Sequence, residues 1–147
     1  MSDMPKMRIC VITTVAFTLR VFLLEQLVFL SRNGFEVTII CNYDRELIEN
    51  CPKELTYYPI AIDRTTSIYS TLLGFYQLYK ILINHKFDIV QYCTPKAALI
   101  ASLSSWLSGI DIRLYCQWGI RYVGMQGLGR YIMKKIEKVT CLFSTHI

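Results

Sequence analysis

Three short polar segments follow apolar runs of strand length, and each carries side chains that could bind a ligand. In the first, a helix-starting proline stands between Thr94 and Lys96. The free N–H groups of a helix N-terminus attract anions, and here they lie beside a hydroxyl and an ammonium group. A lysine in a first turn opposes the helix dipole, and such conflicts concentrate at functional sites. Extension of Lys96 into solvent is the alternative, but the combination favours an anion site.

The second segment combines flat aromatic rings with a guanidinium group. Trp118 and Tyr122 offer faces on which a sugar ring could stack, and Gly119 suits a sharp turn or a close backbone approach to a ligand. Arg121 offers a fork of donors for a phosphate or a carboxylate. A core tryptophan with a surface arginine is the alternative. Clustering of these residues at a strand end favours a binding site.

The third segment, Thr13 and Thr14, argues against two common nucleotide-binding folds. A dinucleotide site needs Gly-x-Gly-x-x-Gly at this point, whereas no glycine is present, and the chain has no Walker A pattern. The two hydroxyls could cap the next helix or bind a sugar hydroxyl, and capping is favoured because such caps are common. His85 and His146 stand in no Ser-His-Asp order, so no catalytic residue is identified.

The elements that position these segments alternate between strand and helix. The predicted strands, rich in Val, Ile, Leu or Tyr as strands buried on both faces are, comprise Met7–Thr13, Glu36–Cys41, Leu55–Ile62, Asp88–Cys93 and Asp111–Gln117. The predicted helices comprise Phe17–Arg32, a short one after Asp44, one from Ser67 to before Lys86, one from Pro95 to before Gly109, and Leu128–Phe143. This order predicts an α/β fold, a doubly wound, mostly parallel, Rossmann-like sheet in a single domain over residues 1–147. Ligands bind such sheets at the carboxyl ends of the strands.

Two of the helices show apolar periodicity that predicts which side faces the sheet. In the first helix, the residues expected on one buried face are Leu19, Phe22, Leu23, Leu27 and Leu30. In the last helix, Ile132, Ile136 and Val139 are expected on one face and the lysines on the other.

The composition indicates the cellular compartment of the chain and limits the classes of partner that it could bind. The chain has 147 residues and a net charge of +5, and no stretch qualifies well as a transmembrane span. Six cysteines without metal-ligand spacing predict a reducing cytosol, no disulfide and no zinc. Positive charge concentrates after residue 112, where only Glu137 opposes Arg113, Arg121, Arg130, Lys134, Lys135 and Lys138. Such a surface attracts nucleic acid, anionic lipid or a phosphorylated substrate, and charge alone cannot separate these.

Several of these segments resemble a known family. The opening Arg8–Thr14 followed by Phe17–Arg20 is similar to the start of family 4 glycosyltransferases that build bacterial surface polysaccharides, and Gly34–Thr38 resembles their second strand. The most specific match is Phe87–Val90 followed by Thr94–Ala97, where family members read Pro-Asp-Ile-Val-His-x-His-Thr-Pro-Lys-Ala. The resemblance covers essentially the whole chain.

Two departures from the family pattern affect its histidines. Gln91 and Cys93 stand at the positions of the family's His-x-His, and Trp118 replaces the histidine of Val-His-Gly-x-Arg. An indole has no site that can accept a proton. Any acid–base or sugar-contacting role of that histidine is therefore lost or taken over by another group.

The resemblance implies a fold and a reaction. The chain would be the N-terminal, acceptor-side half of a GT-B enzyme, with the C-terminal donor domain absent and no activity in this half alone. The reaction would transfer a sugar, with retention, from a nucleotide-sugar to a lipid-linked saccharide in O-antigen or capsule synthesis. It would need no metal and no cofactor, since the nucleotide-sugar is a substrate held mainly by the donor domain. The residues implied in substrate binding are Thr13, Thr14, Thr94, Lys96, Trp118, Gly119 and Arg121.

The same resemblance suggests partners and a location. The basic, apolar helix Leu128–Phe143 fits docking to anionic lipid, so a cytoplasmic protein, peripheral at the inner face of the bacterial inner membrane, is expected. Nucleic acid is not an expected partner. Three other possibilities stay open: an inactive truncated product, the membrane-associated acceptor subunit of a two-chain enzyme with a separate donor-domain chain, and a flavodoxin-like binding module.

Overall fold

A five-stranded, all-parallel sheet forms the centre of the computed structural model, which describes residues 6–62 and 67–147. The strands are β1 (Arg8–Ile12), β2 (Glu36–Cys41), β3 (Leu55–Pro59), β4 (Ile89–Tyr92) and β5 (Ile112–Tyr115). They lie in the order β3-β2-β1-β4-β5. The predicted α/β, doubly wound, Rossmann-like fold is confirmed. Residues 1–5 and 63–66 of the predicted domain lie outside the described residues.

The strands are shorter than predicted except for β2, and β3 and β5 are each three residues shorter. Predicted to reach Ile62, β3 ends at Pro59. The Ile60 N–H still donates to the Cys41 carbonyl oxygen at 2.9 Å, but the Ile62 N–H then donates to the carbonyl of Ile60 at 2.8 Å. A hydrogen bond between residues two apart closes a tight turn. The apolar residues beyond Pro59 therefore enter the core from a turn rather than from the sheet.

The helices occur where they were expected, with one irregular region. They are α1 (Ala16–Thr18), a π-helical turn (Leu19–Leu23), α2 (Leu24–Arg32), α3 (Arg45–Asn50), α4 (Ile68–His85), α5 (Pro95–Leu107), a 3₁₀ turn (Arg121–Gly124) and α6 (Gly127–Phe143). The short helix predicted after Asp44 is α3, and Asp44 caps it, because its carboxylate accepts the Leu47 N–H at 2.9 Å. Each helix that follows a strand begins near the carboxyl end of that strand, so the helix N-termini lie along one edge of the sheet.

The two faces of the sheet are covered by different helices. Leu19, Leu23 and Leu27 pack with Leu47 of α3 on one face. On the other face the core draws on α4 and α5, with Cys141 of α6 packed against it; its largest helical side chains include Leu78, Leu82 and Ile100. Both faces are therefore buried, as the continuous apolar strands predicted.

The π-helical turn corrects the prediction for Phe22. The Leu24 N–H donates to the Leu19 carbonyl, five residues back, which marks a π-helical turn. A turn with more residues than an α-helical one keeps Leu19 and Leu23 in line but rotates Phe22 away from the sheet. Phe22 is 65% exposed, whereas Leu19 and Leu23 are buried. The periodicity of an uninterrupted α-helix placed Phe22 on the wrong face.

The burial of α6 also differs from the prediction. Its most buried residues are polar, Glu137 and Thr140, while Ile132 is exposed and Ile136 and Val139 are half-buried. Because Glu137 is buried, its charge does not face the lysines outside. Residues on α6 that face solvent therefore form a purely cationic and apolar surface.

Arg113 does not belong to that cationic surface. Its Nε donates to the Phe143 carbonyl oxygen at 2.7 Å, and one terminal nitrogen donates to the carbonyl of Ile110. The guanidinium group thus ties β5 to the end of α6.

Among the described helices, none is both long and apolar enough to cross a bilayer. All six cysteines are free thiols.

Close packing of α4 against the chain after β3 predicts the effect of a methyl group at Gly74. A Cβ atom there would lie 2.9 Å from the Ala61 carbonyl oxygen, a backbone atom that cannot rotate away. We expect Gly74→Ala to lower the free energy of unfolding by about 1–2 kcal/mol, because overpacking outweighs the gain in helix propensity. Urea denaturation measures the change.

Gly129→Ala is the matched control for this prediction. Its added methyl would meet only the terminal carbon of the Met125 side chain, at 3.1 Å, which can move. This variant should be unchanged or stabilised by up to about 1 kcal/mol. Equal stabilisation by both substitutions would contradict the tight contact at Gly74.

Candidate functional site

The strand order reverses between β1 and β4, and the candidate site lies at that point. From β1 the chain moves outward through β2 and β3, and it then returns to the other side of β1 to form β4 and β5. The last residues paired there are Ile12 and Tyr92. In open α/β sheets the crevice for ligands opens at the carboxyl ends of the strands where the order reverses.

Two threonines join the strand ends across this point. The Thr14 N–H donates to Thr94 Oγ1 at 3.1 Å, and the two hydroxyl oxygens are 2.7 Å apart. Thr13 is fully buried, and its hydroxyl donates to the Val15 carbonyl oxygen at 3.0 Å. The N-cap of α1 is Val15, without a side-chain cap. The interpretation of Thr13 and Thr14 as helix caps is therefore wrong: their hydroxyls stabilise the loop and the strand ends.

Thr94 has an unusual backbone conformation. Its φ is 75° and its ψ is 130°, in a region that β-branched residues rarely adopt. Strain of this kind costs on the order of 1–3 kcal/mol and persists only when the surroundings fix it. Here Thr14 holds the hydroxyl, and the Thr94 carbonyl oxygen accepts the Ala98 N–H at 2.8 Å, which starts α5.

A pocket of about 290 Å³ opens above this pair, lined by Thr14, Val15, Thr94, Pro95, Lys96 and Arg121. We call it the cationic pocket, because both ionisable side chains among these described lining residues are positive. Lys96 is half-buried, and its Nζ donates to the Ser70 hydroxyl of α4 at 3.1 Å. The N-terminus of α5 adds the positive end of a helix dipole, which favours a bound anion.

A second pocket of about 630 Å³ adjoins the first and shares Thr94; its other lining residues are Thr18, Phe22 and Trp118. We call it the aromatic pocket. The Phe22 and Trp118 ring centroids are 6.4 Å apart with an angle of 58° between the planes. Both side chains are more than half exposed. Two tilted rings beside two hydroxyl groups form a surface suited to the apolar face and the hydroxyls of a sugar.

Thr18 and Phe22 were not predicted as site residues. The π-helical turn that exposes Phe22 leaves no recognisable pattern in the sequence. Their position in the first turns after β1 was the one feature that could have identified them as site residues. Side chains in those turns face the carboxyl-end edge of the sheet, as Trp118 does. Phe17 illustrates this: it is 57% exposed and forms an edge contact with Phe22 at 6.4 Å.

The predicted site residues have different environments. The structure brings Thr14, Thr94, Lys96 and Arg121 to the cationic pocket and Trp118 to the aromatic pocket. Thr13 lies buried beneath them. Gly119 lies in an exposed loop without a positive φ, and an added Cβ would meet nothing within 4 Å. Neither backbone geometry nor crowding requires glycine there, and the binding roles of all seven residues stay predictions.

Among the described residues, neither pocket is lined by a histidine, a cysteine or a carboxylate. The nearby thiol of Cys93 is buried, which raises its pKa to about 12, so it remains a neutral thiol. His85 packs against the rings of Tyr58 and Phe87, and His146 pairs with Leu114 at the edge of the sheet. Within residues 6–62 and 67–147 there is no group of three potential metal ligands. The pockets therefore offer binding groups, without an identified base.

Comparisons with known proteins agree with this geometry. A family model described as glycosyl transferase 4-like matches residues 8–147. The capsular polysaccharide biosynthesis glycosyltransferase CapM of Staphylococcus aureus is 25% identical over 122 residues, which cover 83% of this chain and 32% of that protein. The chain thus spans about a third of the length of this curated relative.

Solved structures share the fold. A protein assigned as UDP-N-acetylglucosamine 2-epimerase from Listeria monocytogenes has a TM-score of 0.68 and 16% identity, covering 98% of this chain and 39% of its own. The lipopolysaccharide outer core galactosyltransferase WaaB has a TM-score of 0.60 and 16% identity, covering 95% and 38%. At such identities the likeness shows the fold alone.

Strain at Thr94 predicts that glycine is a more stable replacement than alanine at this position, the reverse of the usual order. Thr94→Gly and Thr94→Ala both lose the hydrogen bonds to Thr14, but only glycine relaxes the positive φ. We expect the glycine variant to be more stable than the alanine variant by about 1 kcal/mol or more in urea denaturation. Thr56, exposed in β3, is the control, and glycine should be the worse substitution there. An alanine variant at least as stable as glycine at position 94 would contradict the strain.

Proposed function

Because the chain belongs to the glycosyl transferase 4-like family, as its sequence resemblance predicted, we propose that it holds the acceptor in a sugar-transfer reaction. The donor is a nucleotide-sugar, and the acceptor is a lipid-linked saccharide of surface polysaccharide synthesis. Transfer proceeds with retention at the anomeric carbon. The product belongs to an O-antigen or a capsule, and the similarity to CapM supports the capsule side of this proposal.

The observation that carries the proposal is the adjacency of the two pockets. A saccharide linked to a lipid through a diphosphate presents an anionic group beside a sugar ring. The cationic pocket supplies Lys96 and Arg121 for the anion, and the aromatic pocket supplies Phe22 and Trp118 for the ring. Thr94 lines both, so one ligand can occupy both pockets at once.

The chain contributes to the reaction mainly by positioning. Holding the acceptor hydroxyl at a fixed place converts an encounter between two molecules into a reaction within one complex. Trp118 cannot accept the proton of that hydroxyl. A proton acceptor and the cations that stabilise the leaving diphosphate come from the donor-binding part of the enzyme.

We propose that this donor-binding part is a second Rossmann-like domain. It is supplied either by the same polypeptide or by a separate chain that associates with this one. That this chain matches about a third of CapM supports the division. The 147-residue chain by itself is then expected to bind the acceptor and to transfer no sugar.

Acceptor binding tests the assignment of the two cations. The ligand is a monosaccharide linked to a short-chain prenyl diphosphate, and isothermal titration calorimetry measures its affinity for the chain. We expect Lys96→Ala and Arg121→Ala each to weaken binding roughly tenfold or more, because each removes a hydrogen bond to a charged group.

Lys53→Ala is the control for general electrostatics, since Lys53 is exposed just before β3, at the opposite edge of the sheet. The affinity of the Lys53→Ala variant for the prenyl diphosphate-linked monosaccharide should stay close to that of the native chain. Equal losses in all three variants would contradict a specific anion site, and no measurable binding by the native chain would overturn the proposed function.

We further propose that α6 attaches the protein to anionic lipid at the cytoplasmic face of the inner membrane. Leu128 and Leu142 are about three-quarters exposed, and Tyr131 is 58% exposed. These apolar side chains stand among three exposed lysines, Lys134, Lys135 and Lys138. An amphipathic helix with apolar and basic residues on its outer surface suits a membrane interface.

Vesicle binding tests this attachment. We expect replacement of Lys134, Lys135 and Lys138 by glutamine to weaken binding to phosphatidylglycerol vesicles by about 100-fold, at about 1 kcal/mol for each lysine. The control replaces Lys53, Lys80 and Lys86 by glutamine, which removes the same charge from other exposed positions. Cosedimentation measures both. A similar loss in the two triple variants would show that net charge, rather than α6, governs binding.

A further inference from the structure

A carboxylate is buried between α6 and β5. Glu137 is 5% exposed. Its Oε2 accepts the Tyr115 hydroxyl at 2.8 Å and the side-chain amide of Gln117 at 3.1 Å. Its Oε1 is buried and has no hydrogen-bond partner among the described residues. Two donors from one segment of chain therefore converge on a single carboxylate oxygen of α6.

Such a group is costly for the folded protein. A buried carboxylate loses its hydration, and compensation normally requires a cation and hydrogen bonds to both oxygens. Within the described residues no lysine or arginine forms an ion pair with Glu137. An apolar side chain could fill this position at a lower cost in folding free energy, so stability alone does not explain an acid here.

The two donors identify what the carboxylate holds. Tyr115 is the last residue of β5, and Gln117 lies two residues further on. The next residues include Trp118 of the aromatic pocket and Arg121 of the cationic pocket. Gln117 through Ile120 are exposed and lie between β5 and the 3₁₀ turn. The bond from Gln117 to Glu137 therefore anchors the start of a segment that regular structure does not fix.

The surrounding groups keep Tyr115 in the donor role. Burial, and then the hydrogen bond to Glu137, raise the pKa of the Tyr115 hydroxyl well above its usual value. The Cys141 thiol, one turn along α6, is neutral too, because burial raises its pKa. Tyr115 also stacks on Tyr92 of β4, with ring centroids 5.9 Å apart. Among the described residues, Glu137 is the group that accepts the hydrogen bonds from Tyr115 and Gln117.

We propose that Glu137 is a positioning residue that fixes segment 117–121 and thereby places Trp118 and Arg121 opposite Thr94 and Lys96. It acts through Gln117 and does not touch the ligand. The significance of this placement for acceptor binding rests on the proposed function, whereas the clamp itself is a property of the unliganded chain. The two can therefore fail separately.

Backbone order parameters from ¹⁵N relaxation test the clamp in the 147-residue chain without ligand. In the native chain the N–H groups of Trp118 and Gly119 should have order parameters near the rigid value of about 0.85, and Gln117→Leu should reduce them below about 0.6. Glu137→Leu should do the same, and the double variant should show no further loss, because both substitutions break one link. Gln117→Leu leaves the core intact, so the test survives if Glu137→Leu does not fold.

Two controls separate positioning from general stability. Glu137→Gln keeps an oxygen that accepts both hydrogen bonds. Unlike Glu137→Leu, it should therefore leave the order of the segment near that of the native chain. Thr140→Val removes another buried polar group of α6, whose hydroxyl donates only to the helix at Ile136, and it should change the melting temperature without changing order at Trp118.

Unchanged order parameters in Gln117→Leu would overturn the proposal, as would equal losses in Gln117→Leu and Thr140→Val. If the segment loosens as expected while the native chain binds no prenyl diphosphate-linked saccharide, the clamp stands and the proposed function fails. If the native chain binds that ligand while Gln117→Leu leaves the segment rigid, the reverse holds.

Discussion

The hydrogen-bonded pair of Thr14 and Thr94 is the contact on which the candidate site depends. It joins β1 to β4 at the place where the strand order reverses, so it fixes the floor of the crevice that any ligand at this edge would enter. The same contact holds Thr94 in a strained conformation. Because Thr94 precedes α5, that conformation also sets the direction in which the N-terminus of α5 and Lys96 point.

Thr94 divides the edge into two pockets of different chemistry. On one side lie cations and a helix N-terminus, and on the other lie two aromatic rings. Within the part of the chain that the structure describes, no histidine, cysteine or carboxylate lines either pocket. The arrangement is therefore suited to holding one reactant, which is the role that we propose for this chain. The chain belongs to the glycosyl transferase 4-like family, and WaaB shares its fold.

Much of the fold could be predicted from the sequence, because continuous apolar runs and alternating helices allow few arrangements. β2 was predicted with its observed bounds, whereas the pairing of β1 with β4 was not predicted beyond the expectation of a doubly wound sheet. The exposure of Phe22 could not be predicted, since the π-helical turn that causes it depends on tertiary packing. The burial of Glu137 could not be predicted for a similar reason. A carboxylate is expected at the surface unless its hydrogen-bond partners are known, and tertiary packing brings those partners to Glu137. Thr94 could be identified as a candidate, but its strained conformation arises from a contact between residues 80 positions apart.

The most direct test of the two-pocket site is a chemical-shift map. The ¹H–¹⁵N spectrum of the 147-residue chain would be followed during titration with a monosaccharide linked to a short-chain prenyl diphosphate. A bound ligand that spans Thr94 should produce its largest shifts at Thr14, Thr94, Lys96 and Arg121 and at the indole N–H of Trp118. Largest shifts at the opposite edge of the sheet, around Lys86 and Gly109, or no shifts at saturating ligand, would contradict a shared site at the reversal of strand order.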